Sequence, residues 1–166
     1  VVADNGTFRV RRIDAATGVI VTVAGNGTSS LSPTDAQFDA GGNLYIADSG
    51  HCRIRKLSLD VAGNPTTIVT VAGTGICGSS GDGGPAASAQ LGSDLYIRTD
   101  AGGALYVSDG DRVRRIGPGA TPGDGSIDGA SDEAITTYAG GGTGVPGASP
   151  APATSLALGR TLGLAL

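Results

Sequence analysis

The chain has 166 residues, of which 30 are glycine and eight proline, a turn-forming load that excludes a mainly helical domain. Its formal net charge of −4 offers no attraction to phosphate backbones or anionic lipid, which argues against a nucleic-acid partner. No run reaches the ~18 apolar residues of a membrane span, and with 39% apolar residues but no Trp or Met, the core must come from Val, Ile, Leu and Ala in short strands.

In chain order the sequence reads as one unit written three times. The first copy runs Val1 to Ile13 (VVADNGTFRVRRI) and then IVTVAG, Ile20 to Gly25. The second runs Asn43 to Leu57 (NLYIADSGHCRIRKL) and then IVTVAG, Ile68 to Gly73. The third runs Ala104 to Ile116 (ALYVSDGDRVRRI) and then ITTYAG, Ile135 to Gly140. Each copy is an apolar strand ending in Asp, a short turn, an arginine-bearing strand, a variable loop, and a strand ending in Ala-Gly. In the arginine strands Val or Ile and Arg fall on opposite faces at period two, so one face is buried and one is wet or paired.

Spacing is uneven, with 44 positions from Asp4 to Asp48 and 61 from Asp48 to Asp109. The third copy gains a further strand, Asp94 to Asp100 (DLYIRTD), which makes four strands. In the second copy Phe38 to Gly42 leads straight into NLYIAD, so its first strand is expected to be truncated or missing. Val1 begins in what reads as mid-strand without an initiator Met, and the expectation is that processing or fragmentation removed what came before.

The string Val71 to Leu91 (VAGTGICGSSGDGGPAASAQL), followed by a strand, AGG, an LYV strand with Asp, and RVRRI, resembles the bacterial NHL repeat. The likeness covers nearly the whole chain, with weaker patches at Ser29 to Gln37 and Gly117 to Ala134. It implies an all-β chain, a β-propeller of four-stranded blades around a channel. The blades are expected at residues 1–25, 38–73 and 91–140, with 156–166 (LALGRTLGLAL) as a closing or next-blade strand. Composition alone leaves a sandwich or a solenoid equally open. About three blades fall short of the roughly four to eight of known rings. Either sequence is missing, or chains complete one another as a homo-oligomer or a head-to-tail filament.

Asp4, Asp48 and Asp109 close their strands before a turn, where a carboxylate accepts backbone N–H groups or meets an arginine of the next strand; Arg12, Arg55 and Arg115 are the expected partners. Cys52 and Cys77 lie near ends that meet in a hairpin, so a disulfide is the first reading and two thiols the second; without CxxC spacing or histidine partners they do not read as a zinc site. His51 beside Cys52 could form a nucleophilic pair, but adjacent residues on an extended strand face opposite ways, and it reads as a turn residue. Asn5 and Asn26 fit the N-glycosylation pattern, although Asn-Gly is also a turn signal. The Gly81 to Pro85 loop has neither phosphate-loop nor EF-hand spacing; the acidic stretch Asp124 to Glu133 is the better place for a Ca²⁺ ion, with a solvated loop as the plainer reading.

The function expected is a non-catalytic, extracellular or periplasmic module for a protein or glycan partner, or a structural part of a surface assembly. The rival is a fragment of a metal-dependent propeller enzyme of the lyase or lactonase type with its ligands in other blades. Against it, the inner strands here offer mainly apolar side chains, with Asp94 and Arg98 as exceptions. A third reading, RNA binding through the paired arginines, is answered by Arg–Asp pairing between blades.

Overall fold

The computed structural model describes residues 1–117, 127–144, 151–161 and 163–165. The chain is all-β, in three antiparallel sheets, none of them closed on itself. The first holds β1 (Val2–Asp4), β2 (Arg9–Ile13) and β3 (Ile20–Ala24). The second holds β4 (Pro33–Phe38), β5 (Leu44–Asp48), β6 (Arg53–Leu59) and β7 (Pro65–Ala72). The third holds β8 (Leu95–Thr99), β9 (Leu105–Asp109), β10 (Arg112–Ile116) and β11 (Ile135–Gly140). Each sheet is a simple meander in chain order, its strands joined by short hairpin loops except for the long β10–β11 connection at 117–134.

The turns repeat as closely as the strands. Asp39, Asp60 and Asp100 each close a strand and accept the backbone N–H four residues on, at 2.8, 2.8 and 2.9 Å. The residue before that N–H is Gly42, Gly63 or Gly103, with φ of 84°, 79° and 82°, a left-handed backbone that glycine adopts without a Cβ clash. On the next hairpin, short 3₁₀ turns at Asn5–Thr7 and Ser49–His51 end in Phe8 and Cys52, non-glycine residues at φ 56° and 50°.

A register shift recurs at one place in every sheet, between Val10 and Arg11, Ile54 and Arg55, and Val113 and Arg114. It leaves Val23, Val71 or Tyr138 as the extra residue of the last strand. Such a bulge twists the strand and re-aims its side chains.

The three sheets pack face to face in series. One cluster joins the first two sheets through Val10, Val23, Leu31, Leu44, Ile46 and Leu57. A larger one joins the second and third through residues such as Tyr45, Ile54, Val71, Ile97, Val107 and Ile116. Burying each such side chain contributes roughly 1.5–3 kcal/mol. β1 lies against β4, and β4 against β8, so the first strands gather along one edge.

One expectation needs correction. The first strand of the second sheet is present: β4 pairs with β5 from Pro33 opposite Asp48 to Phe38 opposite Leu44. Its polar residues hid it, because they bond the neighbouring sheet: the Thr34 hydroxyl donates to the Leu95 carbonyl at 2.7 Å, and Asp35 accepts the Ile97 N–H at 3.0 Å. The segment 156–166 forms no strand among its described residues. Leu156 makes one parallel bridge to Gly144, and Thr161 donates its N–H to the Gly110 carbonyl while its own carbonyl accepts the Ser108 hydroxyl.

Candidate functional site

The polar interior is an aspartate–arginine network that repeats with the sheets. Asp48 is buried and accepts the Ser32 N–H at 2.8 Å, His51 Nδ1 at 2.7 Å and Arg55 Nε at 3.3 Å. Asp109 accepts the Gly92 N–H at 2.7 Å and Arg114 at 3.2 Å. Asp4 faces Arg11 at 3.6 Å in a half-exposed setting. Each carboxylate thus ties the end of one strand to the linker or hairpin beside it.

Arg12 and Arg115 are not the partners. Strand pairing places Asp4 opposite Arg9 and Asp109 opposite Arg112, so the same face continues two residues on, to Arg11 and Arg114. Arg12 and Arg115 sit on the other face, where Arg12 donates to the Gly63 carbonyl at 3.1 Å. Arg55 is the residue equivalent to Arg11 and Arg114, and it does meet its aspartate.

Arg114 is the most enclosed cation of the chain's described residues, with no exposed surface. Besides Asp109 it reaches Asp82 at 2.7 Å and donates to the carbonyls of Gln90 and Ser80 at 2.8 and 3.1 Å. The sequence marks Gly81 to Pro85 only as a loop without phosphate-loop or EF-hand spacing; Asp82 is its anchor, also held by the Thr137 hydroxyl. Burial raises the Asp82 pKa, but the bonds from Thr137 and Arg114 outweigh it and the net shift is downward. At Asp109 burial wins over the Gly92 and Arg114 bonds, and its pKa is raised.

Glu133 is buried in the loop before β11. It accepts the N–H groups of Asp128 and, at 2.8 Å, Gly129. Burial first, then the charges of Asp128 and Asp132, push its pKa to about 6 against those two bonds. Both carboxylate oxygens are therefore spent on the backbone of its own loop. Of the acidic stretch expected to attract Ca²⁺, Asp124 lies outside the described residues. Among the described residues no three His, Cys, Asp or Glu side chains gather as a metal site.

Cys52 and Cys77 form a disulfide with Cα atoms 5.2 Å apart. Cys52 is therefore bonded and His51 is turned to Asp48, so the two do not act as a nucleophilic pair. Asn5 is exposed on its 3₁₀ turn; Asn26 is exposed too, its carbonyl oxygen accepting the Thr28 N–H at 3.0 Å. On the inner strand Arg98 pairs with Asp35 at 2.9 Å, and Asp94 with Arg160. The structure brings the two cysteines together, and each of the three repeat aspartates to an arginine. It leaves the two asparagines apart from both groups.

One open groove of about 240 Å³ lies between the first two sheets, lined by Val23, Ala24, Gly25, Leu57 and Pro65 to Ile68. Its walls are mostly apolar, with Thr66 and Thr67 contributed by β7; the Thr66 hydroxyl donates to the Ser58 carbonyl at 3.0 Å.

No protein-family model matches the chain, and no curated protein matches it. Among solved structures the chain is similar to an auxiliary nutrient binding protein from Bacteroides thetaiotaomicron VPI-5482, with a TM-score of 0.64 at 18% identity. The match takes in 95% of this chain and 37% of that one, so the chain spans little over a third of its neighbour's length. At this identity the likeness concerns the fold alone.

Proposed function

We propose that the chain is three blades of an NHL-type β-propeller acting as a non-catalytic module for a protein or glycan partner, or as a structural part of an assembly outside the cytoplasm. One observation carries this reading. Positions that are buried between sheets in the interior are bare at the two ends. Val2 and Ile13 correspond to Ile46 and Leu57 in the second sheet and to Val107 and Ile116 in the third; those four are buried, whereas Val2 and Ile13 are 45% and 50% exposed. At the other end Tyr138, in the place of buried Val23 and Val71, is 54% exposed and meets Tyr106 edge to face at 5.1 Å. Two apolar sheet faces of this kind call for more sheets of the same kind, from further blades or from other copies.

The Cys52–Cys77 disulfide supports an oxidising compartment, extracellular or periplasmic. Among the described residues no helix is long and apolar enough to cross a membrane. The fold neighbour's binding of nutrients is compatible with a binding role here, and the exposed Asn5 and Asn26 are the proposed glycan attachment points in a compartment that glycosylates.

Light scattering on the 166-residue chain tests the reading. A discrete assembly of 16.1 kDa chains, or a filament, is expected, and Ile13→Glu should shift it toward the single chain. A wild-type particle that stays at one chain's mass up to high concentration would sink self-completion.

A further inference from the structure

The two linkers between sheets are built to one plan but differ in length. Leu31 and Leu91 are equivalent: both are buried, and the residue after each donates its N–H to the buried aspartate of the following sheet. Leu31 follows Ala24 by seven positions, whereas Leu91 follows Ala72 by nineteen. The longer linker therefore carries an extra arm between the second and third sheets.

That arm lies in a defined slot. Gly73 and Thr74 donate N–H groups to the Ala86 and Ala89 carbonyls at 3.0 and 2.9 Å, and the Ala86 N–H donates to the Glu133 carbonyl at 2.8 Å. On the far side Gly83 donates to the Ile135 carbonyl at 2.8 Å, and the Ile135 N–H to Gly84 at 3.1 Å. Ala86 and Ala89 are fully buried, so the slot takes small side chains.

Between the first and second sheets the same slot has no arm, and the groove of about 240 Å³ is there. Gly25, Leu57, Thr67 and Ile68, which line it, hold the places of Gly73, Ile116, Ala134 and Ile135. Ile68 stands opposite Leu57 in the register that Ile135 has opposite Ile116. Its N–H and C=O therefore face the outer edge of β7, where an added segment can pair with them, up to Thr70, whose carbonyl already has Gly129 of the β10–β11 loop against it. Next to the slot, Arg55 stands opposite Thr70 as Arg114 stands opposite Thr137. Arg114 and Thr137 hold Asp82 of the arm. The Arg55 side chain, with Asp48 as partner, remains 22% exposed, where that of Arg114 is fully covered.

We propose that this groove binds an extended segment of a partner protein with the chemistry of the chain's own arm: an acidic residue, two glycines, proline, and small residues at the Ala86 and Ala89 places. The acidic residue meets Arg55 and Thr70, the Gly-Gly-Pro backbone pairs along Ile68, and the small side chains enter between Gly25 and Leu57. The proposal deepens the binding-module reading and rests on it for the existence of an outside partner, but not on closure of a ring.

The test is fluorescence anisotropy of a labelled ten-residue peptide, residues 81–90 of this chain (GDGGPAASAQ), titrated with the full chain while light scattering records its mass. Saturable binding is expected, at least tenfold weaker for peptides carrying Asp82→Asn or Ala86→Leu with Ala89→Leu. Thr67→Arg in the chain should abolish binding, and Ile76→Glu, exposed outside the groove, should leave it unchanged. Peptide-side substitutions decide the matter even if Thr67→Arg fails to fold. No saturation at millimolar chain, equal binding of the Leu peptide, binding that survives Thr67→Arg, or a groove closed by a second copy that the peptide cannot displace would each overturn the proposal. A single-chain particle that binds the peptide would sink only the assembly reading, and an assembly that does not bind it only this one.

Discussion

Arg114 and Asp82 lie 2.7 Å apart although 32 residues separate them, and the guanidinium is fully enclosed while the carboxylate is about one-third exposed. The linker arm thus supplies one counter-charge, and Asp109, from the same hairpin as Arg114, supplies the other. A cation taken out of water is tolerated only when its donors are filled, and here two carboxylates and two backbone carbonyls fill them.

Removing the enclosed partner should therefore be far costlier than removing the exposed one. Asp109→Ala leaves the Gly92 N–H and part of Arg114 without an acceptor, and about 3 kcal/mol of stability should be lost. Asp4→Ala breaks the half-exposed pair with Arg11 and should cost at most about 1 kcal/mol. Urea unfolding of the two variants checks this, and equal losses would show that the repeat aspartates are not graded by burial.

The strands announced themselves where an apolar run ends in Asp, as in Leu44 to Asp48, and where Ile and Arg alternate, as in Arg53 to Leu57. β4 was silent because Thr34 and Asp35 bond the next sheet, a need that no local pattern encodes. The aspartates were legible as turn-closing residues, but their partners were not: whether Arg11 or Arg12 faces Asp4 depends on a one-residue register that only strand pairing fixes. The cysteines were legible because both lie near meeting strand ends. Asp82 was not, since its role depends on a linker folding back over a strand far along the chain.

Glu133 should make stability depend on pH in the opposite sense to an ordinary paired carboxylate. Its pKa is about 6 in the folded chain against 4.5 when free, so the folded state holds its proton more tightly. Stability then rises as pH falls from about 7 to 4.5, by about 2 kcal/mol in total, and is lost again as pH climbs through 6. Asp109, also raised, acts in the same sense at lower pH, whereas Asp82, lowered, withdraws stability only below about pH 4. Melting temperatures between pH 4.5 and 7.5 should show the trend in the wild type and a flatter one in Glu133→Gln.

The glycines separate two kinds of cost. Gly42 has φ 84° with no atom near its missing Cβ, so Gly42→Ala should cost only the left-handed backbone penalty of about 1 kcal/mol. Gly73 has φ 92°, and a Cβ there would come within 2.3 Å of the Cys52 carbonyl oxygen. Gly73→Ala must move the strand as well and should cost about 3 kcal/mol or more. Denaturant midpoints for the pair check it, and similar values would mean that the β6–β7 contact yields easily.

The disulfide joins the start of β6 to the linker that begins at Gly73, closing a loop of 25 residues. Loop closure of that length constrains the unfolded chain by about 3 kcal/mol, and the crosslink spans the segment from which the arm departs. Cys52→Ala with Cys77→Ala should lower stability by about that amount. It should also loosen the arm more than the turns: amide exchange should quicken at Gly73, Thr74 and Gly78, whose N–H groups bond the arm and Leu91, before it quickens at Asn43 or Ala104. Uniform quickening at all five amides would show instead that the disulfide acts on the whole fold and gives the linker no special hold.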